Sequence, residues 1–320
     1  MIVNQNLGFS SGSRNNFTFG KWSRSLLHRA ACFSVRAFGG KTVVAMLCFG
    51  LFLSSSEAGP SVKIRDPRLR SAAVIVQDQN TDELLLSKKA EAVMPIASIT
   101  KLMTAMVVLD SGINLGLPIT VDEADKDTLR YSRSRLPVGT RVSRMQALLI
   151  ALMASENRAA HVLARTYPGG EAAFVRAMNK KARSLGLTET RFEDPCGLSE
   201  GNVSSAADLC RLVNAAYKYP LIRSFSTQKD FVLDNGRRPL RFVNTNSLVR
   251  NASWDIGLSK TGYILESGRC LVMQASMPHR SVVIVLLNAA GDSTRLNDVL
   301  SIKRWLEKME PKQKAAQKNT

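Results

Sequence analysis

Histidine is scarce in this 320-residue chain: there are three, and only His161 and His279 lie beyond the first sixty residues. Neither stands in a G-x-S-x-G elbow, so a Ser-His-Asp triad is disfavoured. No H-E-x-x-H or C-x-x-C occurs, which disfavours a zinc peptidase; no metal ligand is assigned and no cofactor is implied. Cysteine is limited to five, of which Cys196, Cys210 and Cys270 lie past the N-terminal region. An odd number excludes a complete disulfide framework within one chain; a Cys196–Cys210 bridge is possible, and Cys270, in an apolar strand, reads as a buried free thiol. Aromatic residues make up 6% and no nucleic-acid-binding module is recognisable, which weighs against nucleic acid as a partner. There is no internal repeat.

Long apolar runs are also missing. The N-terminal stretch from Thr42 to Leu53, broken only by Gly50, is too short for a membrane span. Lys41 precedes it, and Ser54-Ser-Ser-Glu-Ala58-Gly59 offers small residues for a cut after Ala58, the parts of a secretory signal. The basic forty residues ahead of it exceed a normal signal. The expected organisation is therefore an extension and signal over 1–58, a folded domain over 59–310 and a basic tail over 311–320, with export to the periplasm. Net charge is +18, of which 1–58 carry +5 and the rest +13, a balance suited to acidic wall polymers or an anionic membrane surface.

What the chain does contain is an ordered trio of short motifs: Ser98-Ile99-Thr100-Lys101, Ser155-Glu156-Asn157 and Lys260-Thr261-Gly262. Residues three apart share a helix face, so a lysine there can reach back to a serine oxygen. Pro95 and Ser98 sit where a helix begins, and an apolar run follows from Lys101 to Ser111, ended by Gly112. A helix N-terminus favours an alkoxide and an oxyanion. Read singly, Ser98 could be only an N-cap and Lys101 a solvated lysine. With histidine excluded, however, lysine must serve as the base, and it must be held neutral by burial or by a neighbouring cation such as Lys260.

Ser155 and Asn157 fall where two apolar helical stretches meet, and a break there would point both into one cleft; the alternative is that Asn157 simply caps the second helix. Glu156 should point away from the cleft. Lys260 and Gly262 share one face of a strand, with Thr261 opposite unless the strand twists, and the glycine lets a substrate backbone approach. The Lys260 ammonium and the Thr261 hydroxyl would then receive a terminal carboxylate.

Together with Pro95-Ile-Ala-Ser-Ile-Thr-Lys-Leu-Met-Thr-Ala-Met, Ala154-Ser-Glu-Asn-Arg-Ala-Ala, Asp194-Pro195, Asn244-Thr245-Asn246 and Ser259-Lys-Thr-Gly-Tyr, the trio resembles the low-molecular-mass penicillin-binding proteins. Within them it is most similar to the D-alanyl-D-alanine endopeptidase branch of the D-Ala-D-Ala carboxypeptidases, over roughly 70–308. The resemblance implies an acyl-enzyme on Ser98, Lys101 as base, Ser155 as proton relay and Asn157 on a substrate amide. It implies Lys260, Thr261 and Gly262 on the carboxylate side, and the N–H groups of Ser98 and Tyr263 as oxyanion hole. It further implies peptidoglycan stem peptides as substrate and β-lactams as acylating inhibitors. Cys196 departs from it, since relatives usually carry threonine. The short segment after Gly262 favours the endopeptidase over the carboxypeptidase, because carboxypeptidase relatives often add a β-rich domain; a slow penicillin-binding module is the alternative outside catalysis. A β-lactamase is disfavoured, because no E-x-x-L-N supplies the deacylating glutamate.

For the fold, Ala72–Gln77 and Glu83–Ser87 predict a first hairpin, helices dominate from Ser98 to about Tyr219, strands return at Lys260, Arg269–Met277 and Arg280–Asn288, and a helix spans about Asp292–Met309. First and last thirds would share one antiparallel sheet with an all-helical subdomain between them, an α/β (α+β) arrangement like that of penicillin-binding transpeptidases and β-lactamases.

Overall fold

The computed structural model describes residues 65–236 and 238–309, all within one unit, Ser61–Thr320. The extension and signal expected over 1–58 and the tail expected over 311–320 lie outside the described residues.

The chain opens with β1 (Ala73–Asp78) and β2 (Leu84–Lys88), then β3 (Met94–Pro95) and a 3-10 turn, Ala97–Thr100, that runs into α1 (Lys101–Asp110). There follow β4 (Pro118–Thr120), β5 (Arg141–Ser143), α2 (Arg144–Met153), α3 (Asn157–Arg165), α4 (Gly170–Ser184), β6 (Val203–Ser204), α5 (Ala206–Tyr217) and α6 (Pro220–Ser226). After β7 (Asp230–Leu233) and β8 (Leu240–Val243) come β9 (Asp255–Ile264), β10 (Gly268–Met277), β11 (Arg280–Ala289) and α7 (Asp292–Met309).

The main sheet has the order β2-β1-β11-β10-β9, with every pairing antiparallel. Its central strands are covered on both faces, which is why β1 and β11 read as near-continuous apolar runs rather than alternating ones. One face, through Val272, Val283, Val285 and Leu287, packs on the helices. The other, through Val74, Met273, Ile284 and Leu286, packs on Ile302, Trp305 and Leu306 of α7. Asp298 of α7 accepts hydrogen bonds from Ser71 N and Ser71 Oγ, both at 2.7 Å, tying the start of the folded chain to its last helix.

First and last segments thus share one sheet, as the hydrophobic pattern predicts, and α7 has the expected limits. Three two-stranded ribbons, β3–β6, β4–β5 and β7–β8, have no counterpart in the sequence reading. Their strands are two to four residues long, too short to display a period. The three cysteines among the described residues are buried free thiols, so Cys196 and Cys210 are not bridged. Burial pushes the Cys210 thiol up to about 12 and Cys270 up to about 11.

Candidate active site

The segment before α1 does not start as a simple capped α-helix. Ala97 takes a left-handed φ of 46°, the 3-10 turn carries Ser98, and regular helix begins only at Lys101. No side chain caps either helix start, so the Ser98 hydroxyl is not spent as an N-cap. Two glycines fit this turn closely. A Cβ on Gly262 of β9 would come within 2.8 Å of Ile96 O and 3.1 Å of Ser98 N, and one on Gly197 would collide with Ala97 O. Strain at Ala97 is therefore held in place by close packing from two directions.

Lys101 is 1% exposed although it is a lysine. Its Nζ lies 2.8 Å from Ser98 Oγ, 2.8 Å from Asn157 Oδ1 and 2.7 Å from the Cys196 carbonyl. Burial lowers its pKa below the ordinary lysine value, against the opposing pull of Cys196, Asp194, Glu156 and Asp127. The two buried lysines also repel each other when both are charged. Lys260, equally buried, lies well below the ordinary value because of burial first and the Lys101 and Arg295 charges next.

Ser155 occupies the break between α2 and α3 with a φ of 59°, and its Oγ accepts from Lys260 Nζ at 2.9 Å. Asn157 is the first residue of α3; the cap is Glu156, whose carboxylate accepts from Arg158 N and, at 3.2 Å, from Arg135 N. Asn157 is thereby freed from capping. Its Oδ1 meets Lys101, and its Nδ2 donates to Ser132 Oγ at 2.8 Å.

β9 is the edge strand of the main sheet, and its pleat keeps Lys260 and Gly262 on the helical side. Thr261 falls on the α7 side, where its hydroxyl donates to Thr245 Oγ1 at 2.7 Å. Lys260 Nζ also reaches back to Thr261 O at 2.9 Å. Ser259 N donates to Ser226 Oγ outside the sheet and Ile264 N to Ser267 Oγ in the β9–β10 turn. By alternation, Tyr263 N–H points out of the free edge, beside the Ser98 turn. The Tyr263 ring is half exposed and carries the Arg269 guanidinium 3.7 Å above its centroid.

The residues singled out in the sequence thus meet where β9 abuts the helices: Lys101 joins Ser98 to Asn157, Lys260 joins Ser155, Gly262 abuts the Ser98 turn, and Thr261 faces the α7 side. Sequence reading missed Ser132, Thr245 and Arg295, each the partner or electrostatic neighbour of a motif residue. Thr245 lies in the Asn-Thr-Asn run that carried part of the resemblance, whereas Ser132 and Arg295 stand in no pattern of their own.

A buried amine on a serine hydroxyl, between a sheet edge and an all-helical layer, defines a penicillin-binding serine DD-peptidase. The chain belongs to the D-alanyl-D-alanine carboxypeptidase family, whose sequence profile matches residues 61–291. It is 47% identical over 269 residues to a D-alanyl-D-alanine endopeptidase of Pseudomonas aeruginosa, covering 80% of this chain and 86% of that one. It is 43% identical over 243 residues to a D-alanyl-D-alanine endopeptidase of Escherichia coli, covering 75% and 78%. Among solved structures, a Streptomyces DD-transpeptidase superposes with a TM-score of 0.70 at 26% identity, covering 76% of this chain and 98% of that one.

Proposed function

We propose that this chain is a D-alanyl-D-alanine endopeptidase that cleaves peptidoglycan cross-links through an acyl-enzyme on Ser98. The observation that carries the reading is the Lys101 amine, buried and 2.8 Å from Ser98 Oγ. A neutral Lys101 takes the proton from Ser98 Oγ as the oxygen attacks the D-alanyl carbonyl carbon. The N–H groups of Ser98 and Tyr263 receive the developing oxyanion. The C–N bond then breaks as the proton held by Lys101 passes through the Ser155 hydroxyl, itself in contact with Lys260, to the departing amine, which leaves Lys101 neutral again. Water, activated by Lys101, hydrolyses the ester and restores the serine.

Asn157, while holding Lys101, meets a substrate amide. Lys260 and Thr261 leave opposite faces of β9, so a carboxylate met by both lies over the strand's free edge, with Gly262 leaving room for the peptide backbone. The Arg295 charge adds to the positive field there. β-Lactams, which present a strained amide to the same serine, acylate Ser98.

The endopeptidase name of the two relatives favours cross-link cleavage, and the family's description keeps carboxypeptidase action as the second reading. Residues 59–310 form the peptidase domain, 1–58 direct export to the periplasm, and the basic surface associates with acidic wall polymers or the membrane. The test is digestion of purified cross-linked muropeptide dimers, read by mass spectrometry. Conversion of dimers to monomers is expected; loss of one terminal alanine makes it a carboxypeptidase, and intact dimers despite penicillin labelling make it a binding module.

A further inference from the structure

Arg130 links three segments of the cleft wall. Its Nε donates to the Leu198 carbonyl, and its Nη2 pairs with Glu266 Oε2 at 2.9 Å. Leu198 follows Gly197, which packs against Ala97 O and Ser98 N. Glu266 stands in the β9–β10 turn, four residues past Gly262, which packs against the same turn. Arg130 itself lies two residues before Ser132, the partner of Asn157. The ion pair therefore spans the cleft on the side of Ser98 away from Lys260.

The two ends of the cleft have different chemistry. Lys260 and Thr261 suit the carboxylate of the departing portion, so a peptide laid along the free edge of β9 sends its acyl portion past Tyr263 toward Glu266. At about 3.3 Å per residue, a peptide acylated at Ser98 brings the second or third upstream residue to the Arg130–Glu266 pair. Arg130 is tied to a further segment of the wall through Leu198 O, whereas the Glu266 carboxylate's other contact is with its own backbone N–H. The Glu266 side chain is one-third exposed beside the exposed Leu265. Exposed ion pairs contribute little net stability, so Glu266 is readily exchanged for another carboxylate.

We propose that Arg130 is a specificity-determining residue that reads a carboxylate upstream of the acylated D-alanine, and that Glu266 occupies its guanidinium until the substrate does. The proposal rests on the reading of Ser98 as nucleophile for D-alanyl peptides. Arginine suits the role, because its planar fork keeps one N–H on Leu198 while presenting another to the incoming group. Glu266 is then an internal competitor, and its removal strengthens binding of a charged donor instead of weakening it.

The test uses two acetylated donor peptides whose D-alanine is joined, as in a cross-link, to the side-chain amine of a D-configured diamino acid; they differ at the second residue before that D-alanine, one with a free side-chain carboxylate and one with its primary amide. In Arg130→Gln the KM for the carboxylate peptide should rise about tenfold, the scale of one exposed charge-assisted hydrogen bond, while the amide peptide changes less than twofold. Arg130→Lys should restore part of the loss, and Glu266→Gln should lower KM for the carboxylate peptide alone. Stoichiometric labelling by fluorescent penicillin identifies the folded variants. An equal change on both peptides in Arg130→Gln, or a rise in KM in Glu266→Gln, overturns the proposal and makes the pair a structural strap. Wild-type protein that cleaves neither peptide overturns the DD-peptidase reading itself, and the proposal with it.

Discussion

Lys101 Nζ and Ser98 Oγ stand 2.8 Å apart on the first turn of a helix whose lysine is buried. Such an amine is costly to keep charged, and that cost suits it to the base role proposed for it. Ser98→Ala should therefore abolish labelling by a fluorescent penicillin while the fold, read by circular dichroism, is unchanged. Lys101→Met, which removes a buried cation and keeps an apolar stem, should fold but acylate about 100-fold to 10,000-fold more slowly, the span typical of lost general-base action. Normal labelling of folded Ser98→Ala would refute the nucleophile assignment.

Asn157 offers a sharper test of the same amine, because its Oδ1 lies 2.8 Å from Lys101 Nζ. Asn157→Asp places an anion at that distance and favours the charged ammonium. The acid limb of the acylation profile against pH, which reports deprotonation of Lys101, should move upward by at least about one unit. Stopped-flow acylation by a penicillin across pH 6 to 10 measures it, and an unmoved limb would show that another group sets the profile.

Legibility in the sequence follows the length of the signal. β1, β9, β10, β11 and α7 are each long enough to read as an apolar run bounded by turn residues or as a helix, and each motif of the trio holds its own chemistry within four residues. What the sequence concealed depends on contacts between distant residues. Ser132 meets Asn157 across 25 positions and Thr261 meets Thr245 across 16. The left-handed backbone of Ala97 and Ser155 leaves no mark in residue type, since neither is glycine. Of the two effects expected to depress Lys101, burial leads, and the repulsion between the two buried ammonium groups adds to the lowering of Lys260.

Gly262 tests the approach of β9 to the nucleophile. A methyl group at this position meets Ile96 O at 2.8 Å, Ser98 N at 3.1 Å and the Ala97 Cβ at 3.2 Å, so the turn must shift by a few tenths of an ångström. A displaced donor costs more in the transition state than in the fold. Gly262→Ala should lose about tenfold to 100-fold in acylation rate with a small change in melting temperature. Gly197→Ala differs, because its Cβ would collide with the Ala97 carbonyl and its φ is 79°. It should lower stability by roughly 2 kcal/mol or more, read by urea unfolding.

His161, four residues after Asn157 on α3, takes no part in the proposed reaction, and it predicts how stability depends on pH. Its Nδ1 lies 2.8 Å from Asp125 Oδ1 and its Nε2 lies 3.1 Å from Glu171 Oε2, while Arg165 holds the other Asp125 oxygen at 2.8 Å. Burial works against the imidazolium, but the two carboxylates outweigh it and raise its pKa from 6.5 to about 9. A group whose pKa is raised on folding contributes stability that is complete below its unfolded value and is lost as pH rises through the folded one. The contribution is therefore full below pH 6.5 and gone above about pH 9. Its size is at most about 3 kcal/mol, and about 1–2 kcal/mol once partial exposure screens it. Asp125, held at about 2 by Arg165 and His161 despite its burial, gives the mirror-image loss as pH falls from 3.8 toward that value. His161→Gln should therefore flatten the fall in unfolding free energy between pH 6.5 and 9, measured by urea titration at each pH, and an unchanged slope in the variant would assign that fall to other groups.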